Sequence, residues 1–77
     1  MPTKRQCKVV LNAILGHTAD HGAPPSLANL VDRTGLSRLI VYDALQLLNL
    51  SGVVTWQYGA PRSIRVVGTP PESERQP

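Results

Sequence analysis

A chain of 77 residues with a formal net charge of +3, one Cys, one Trp and no Phe has room for one small domain. The lone Cys7 excludes an internal disulfide and a cysteine-cluster metal site, and no apolar run approaches the ~20 residues of a membrane span. The polar opening Met1-Pro2-Thr3-Lys4-Arg5 lacks a signal peptide's apolar stretch, so a soluble, cytoplasmic protein without membrane contact is expected.

In chain order, Thr3 and Gln6 have capping-box spacing, and Cys7, Val10, Leu11, Ile14 and Thr18 recur at helical intervals. They predict a first amphipathic helix over about residues 4–20, ended by Gly22. Pro24 and Pro25 then hold an extended link. Ser26 caps a short second helix with Leu27, Leu30 and Val31 on its apolar stripe, and Gly35 stops it. Ser37 caps a third helix running to about Leu50, with Val41, Ala44, Leu45 and Leu48 on one face and Gly52 as terminator. Two helices joined by a tight glycine turn have the form of a helix-turn-helix.

Past Gly52 the period becomes two. Val54, Trp56 and Tyr58 alternate with Val53, Thr55 and Gln57; after the turn Gly59-Ala60-Pro61-Arg62, Ile64 and Val66 alternate with Ser63, Arg65 and Val67. This predicts a hairpin of strands 53–58 and 63–67, which must lie on the helices to be stable. The expected fold class is mainly α (α+β): a winged helix-turn-helix, three helices followed by a two-stranded β-hairpin wing, over residues 1–67. Residues 68–77 carry no anchoring apolar group and are expected to form a disordered polar tail or linker.

Within residues 1–67, Lys4, Arg5, Lys8, Arg33, Arg38, Arg62 and Arg65 outnumber Asp20, Asp32 and Asp43. Such a balance is compatible with a nucleic-acid partner, though solubility alone also accounts for it. Arg38, in the first turn of the third helix, stands where a planar fork would meet a guanine edge or a phosphate; the plain alternative is a solvated arginine. Tyr42 and Gln46, one turn apart, face away from Val41 and Leu45, and Ser37 and Leu39 flank Arg38. Lys4, Arg5 and Lys8 surround the start of the first helix and oppose its dipole; phosphate contact would explain them, and ordinary surface charge does so equally. Ser26 opens a helix whose free N–H groups suit a phosphate, and caps it in any case. Arg62, Ser63 and Arg65 would bring a charged hairpin to the backbone.

Leu39, Ile40, Leu47 and Leu50 exceed what one buried helix face takes. Exposed, they would serve a homodimer or a protein partner. The alternative function is therefore a winged-helix protein-interaction module: an adaptor, assembly subunit or inhibitor. His17 and His21 have the i, i+4 spacing of paired metal ligands, but only Asp20 is near as a third, so a solvated helix end and no metal are expected. Cys7 is expected in the core, and Trp56 as packing between hairpin and helices. With no phosphate loop, paired carboxylates or nucleophile with a base, no catalytic residue, enzyme activity or cofactor is expected.

Over residues 3–67 the chain resembles the N-terminal DNA-binding domain of LexA-type SOS repressors. The resemblance is carried by Thr3-Lys4-Arg5-Gln6, Gly22-Ala23-Pro24-Pro25-Ser26, Thr34-Gly35-Leu36-Ser37, Leu45, Leu48, Gly52-Val53-Val54 and Gly59-Ala60-Pro61-Arg62-Ser63-Ile64-Arg65. It implies sequence-specific DNA binding by a small transcriptional regulator, a repressor of host, phage or plasmid origin. The family's self-cleaving Ser and Lys have no counterpart in residues 1–77. The turn Arg38-Leu39-Ile40-Val41-Tyr42-Asp43 lacks the family's base-reading polar residues, so no operator preference carries over.

Overall fold

The computed structural model describes residues 2–57, 59–60 and 62–68. Its elements are α1 (Lys4–His21), α2 (Leu27–Thr34), α3 (Arg38–Leu50), β1 (Val54–Thr55) and β2 (Arg65–Val66). Three helices pack on one another, and an antiparallel wing pairs Val54 with Val66 and Thr55 with Arg65. The fold is a winged helix-turn-helix.

Each helix starts where a hydroxyl meets the unpaired N–H groups of a first turn. The Thr3 hydroxyl accepts from the Gln6 N–H at 3.0 Å, and the Gln6 side chain accepts from the Thr3 N–H at 2.8 Å. Ser26 and Asn29 repeat the device at 3.1 and 2.9 Å, with Asn in place of the usual Glu or Gln. Ser37 accepts from the Ile40 N–H at 3.2 Å. Gly22 and Gly35 end α1 and α2 in the left-handed conformation, at φ 70° and 74°. In the turn between α2 and α3, the Thr34 hydroxyl donates to the Leu30 carbonyl and accepts from the Leu36 N–H.

α3 closes in a Schellman arrangement. The Gly52 N–H donates to the Asn49 carbonyl at 3.1 Å, and the Val53 N–H reaches the Leu48 carbonyl at 3.1 Å. This geometry corrects the expected alternation of the first strand. Val53 and Val54 are both buried, because Val53 is still part of the helix stop and packs into the core beneath it. The Val53 carbonyl then accepts from both Val67 and Gly68, which closes the base of the wing.

The core joins Val10, Leu11, Ala13 and Ile14 of α1, Leu30 of α2, Val41, Ala44, Leu45 and Leu48 of α3, and Val53, Val54 and Ile64 of the wing segment. Trp56 packs against it as expected, whereas Cys7, expected inside the core, is half-buried at its edge. The stripe of α1 differs at its end: His17 is buried and Thr18 exposed. The chain returns over His17 at Ala23, whose carbonyl lies 3.1 Å from the ring, and this covers His17.

Both strands are shorter than the predicted 53–58 and 63–67. The Ser63 hydroxyl replaces the ladder: it accepts from the Gln57 N–H at 3.1 Å, and its single hydrogen faces the carbonyls of Gln57 and Ala60 at 3.1 and 2.9 Å. Tyr58, expected on the Trp56 face, and residues 69–77 of the expected tail lie outside the described residues. Among the described residues, no helix is long and apolar enough to cross a membrane.

Candidate nucleic-acid interface

The start of α2, the start of α3 and the inner side of the wing enclose an open groove of about 740 Å³. Ser26, Leu27 and Ala28 form its α2 wall, and Arg38, Leu39 and Tyr42 its α3 wall. Trp56, Ala60, Arg62 and Ile64 close the wing side. Five of the residues singled out in the sequence, Ser26, Arg38, Leu39, Tyr42 and Arg62, thus meet in one concavity although they come from three elements. Its described charged residues are both arginines, Arg38 and Arg62, and no described carboxylate lines it. A concave, positive surface at the opening of the second helix of a helix-turn-helix is suited to a phosphate-lined duplex.

Tyr42 is held from two sides. The Trp56 ring meets it edge-on at 5.2 Å between centroids, and the Gln46 amide donates to its hydroxyl at 3.1 Å. Buttressed side chains of this kind hold their direction without an ordering cost on binding. Trp56 therefore links the wing to the α3 wall as well as packing on the core.

The other expected contacts fall outside the groove. Lys4 and Arg5 are exposed at the start of α1, and Arg65 is exposed on β2 opposite Thr55. Ser37 is committed to capping α3, and Ser63 to holding the wing turn. Arg62, at the edge of the groove, has protein acceptors: its Nη1 donates to the Pro24 carbonyl at 3.0 Å and to the Asn29 side-chain oxygen at 3.5 Å.

Of the surplus apolar residues, Leu39 is 69% and Leu50 83% exposed, whereas Ile40 and Leu47 are half-buried. Asp43 and Gln46 share their outward side of the helix, so Leu39 and Leu50 stand apart at its two ends.

His17 is the main correction at the residue level. Instead of a solvated helix end, it is only 8% exposed, and its Nδ1 lies 3.1 Å from the Ala23 carbonyl. A carbonyl only accepts, so Nδ1 carries the hydrogen. The His21 ring lies 4.4 Å away, and among the described residues no three His, Cys, Asp or Glu side chains could share a metal ion.

The Arg33–Asp20 pair is a further feature that composition does not reveal. Arg33 donates to Asp20 at 2.9 Å, and that hydrogen bond and charge hold the Asp20 carboxyl below its ordinary value. The guanidinium lies over Gly16, where a Cβ would come within 2.7 Å of it. A glycine in the middle of an otherwise helical pattern was the available signal of that close approach.

The family model described as the LexA DNA binding domain matches residues 2–63. No curated protein matches the chain. The matched span takes in all three helices and the wing turn as far as Ser63, and with the fold and the groove described above it follows that the chain belongs to the LexA DNA-binding domain family.

Proposed function

We propose that this chain binds double-stranded DNA in a sequence-dependent way and acts as a small transcriptional regulator. α3 enters a major groove with Arg38 and Tyr42 at base edges or flanking phosphates, Leu39 beside them and Gln46 supporting Tyr42. Ser26 and the first turn of α2 approach one phosphate, while Lys4, Arg5 and Arg65 supply charge at the edges. Ser37 and Ser63 contribute by fixing the start of α3 and the wing turn. The observation that carries this reading is the groove that gathers Arg38, Tyr42 and Ser26 with no described carboxylate among them.

Fluorescence anisotropy with labelled duplex pools at low and moderate salt tests it. Binding is expected at low salt, weakening steeply as salt rises because phosphate contacts release counterions. Replacing Arg38 with Ala is expected to relax sequence preference, by about 1–3 kcal/mol at the base pair it reads. Absence of binding at low salt overturns the reading.

A second reading rests on Leu39 and Leu50, which are too exposed to be explained by the core. On this reading α3 contacts a second copy of this chain in place of DNA. Sedimentation velocity at rising concentration, with and without duplex, tests this reading; a monomer throughout removes it.

A further inference from the structure

We infer that Arg62 is a positioning residue: its guanidinium clamps the wing turn to the link between α1 and α2, and it serves DNA binding through that placement rather than as a phosphate contact. The clamp stands on geometry alone; its consequence for DNA rests on the function proposed above.

Three observations carry it. First, Nη1 bonds to the Pro24 carbonyl at 3.0 Å and approaches the Asn29 side-chain oxygen at 3.5 Å, joining segments far apart in the chain. Second, Asn29 belongs to the capping box of α2 and accepts from the Ser26 N–H with the same oxygen, so one atom connects the wing to the helix start that walls the groove. Third, Arg62 has a φ of 57°, a left-handed conformation that side-chain-bearing residues adopt at a cost, and it is the one non-glycine residue described with a positive φ. An unfavourable backbone conformation persists where its surroundings over-determine it, and the two acceptors of Arg62 supply that restraint.

The clamp has a counterpart across the link. His17 holds the Ala23 carbonyl at 3.1 Å, next to the Pro24 carbonyl held by Arg62. α1 and the wing therefore grip adjacent carbonyls of one short segment. Fixing that segment against the wing sets the width of the groove that contains Arg38 and Tyr42. Both contacts are made by Nη1, which leaves Nη2 and Nε for another acceptor, so the salt slope of the Gly variant decides whether the guanidinium also meets a phosphate.

Two variants separate clamp from charge. Arg62→Lys keeps the positive charge but not the guanidinium, and Arg62→Gly removes both while accepting the positive φ. Binding to labelled random duplex is followed by anisotropy across a salt series, and exchange of the Ala60 amide hydrogen is followed in the free protein by NMR. That amide donates to the Gln57 carbonyl within the wing turn. Both variants are expected to lose about 10-fold in affinity for every duplex through lost preorganisation, with an unchanged salt slope. Ala60 exchange is expected to accelerate about 10-fold in both as the turn opens locally. A Lys variant that binds like the wild type, a salt slope smaller by about one in the Gly variant, or unchanged Ala60 exchange overturns the inference. If the wild-type chain binds no duplex at low salt, the DNA-binding reading fails, and Ala60 exchange by itself upholds or overturns the clamp.

Discussion

Asp20 and Arg33 illustrate how little a surface ion pair reveals of itself in the sequence and how it is tested. Both side chains are substantially exposed, so the pair contributes modestly. The Arg33 hydrogen bond and charge hold Asp20 below its ordinary value of 3.8. A carboxyl lowered in the folded state adds stability above its unfolded value, and that contribution is lost as pH falls through the folded value. Asp20→Asn is therefore expected to lower the melting temperature slightly at neutral pH. The difference from wild type should vanish in acid, once pH drops below the lowered Asp20 value. Thermal melts across pH measure it; a gap that stays constant into acid would show that the pair does not act through ionisation.

At the level of elements, α3 is divided between two tasks. Val41, Ala44, Leu45 and Leu48 form its buried face, while Leu39 and Leu50 stand in solvent. Truncating fully buried Leu45 to Ala leaves a cavity in the core, and a loss of about 2–5 kcal/mol is expected in chemical denaturation. Leu39→Ser and Leu50→Ser are expected to change stability by no more than about 0.5 kcal/mol, because neither supports the core. If either Ser variant proves as damaging as Leu45→Ala, the exposed face of α3 carries structure rather than contacts. The wing shows the same economy. Its ladder is only two residue pairs long, and the turn is held by Ser63 and Arg62 instead. Its base is tight: a Cβ at Gly68 would come within 2.5 Å of the Gly52 carbonyl.

For the whole molecule, one core contains residues from all three helices and from the wing segment, without a disulfide to fasten them. A hairpin this short has no stability of its own. Wing and helices are therefore expected to unfold in one step. Far-UV circular dichroism reports the helices, and fluorescence of the single Trp56 reports the wing. Their urea transitions should coincide. A Trp56 transition that precedes the loss of helix would show that the wing is a separate unit.

Much of this architecture is legible without coordinates because its signals are local. A hydroxyl at a helix start, a glycine in the left-handed stop and apolar groups at helical spacing act within a few residues. Thus Thr3, Ser26, Ser37, Gly22 and Gly35 mark the ends of helices correctly, and the change of period after Gly52 marks the wing. The motifs that carry the family resemblance are local in the same sense. What only the tertiary structure decided depends on groups distant in sequence. Burial of His17 follows from the return of the chain at Ala23, and burial of Val53 from a helix stop that turns directly into the core. The extra length predicted for the strands is lost to the Ser63 hydroxyl, which competes with ladder bonds only once the turn has folded. In the same way, a wing arginine reads as free charge in the sequence. Its acceptors lie near the start of α2, and only packing of the wing on the helices brings them within hydrogen-bonding distance.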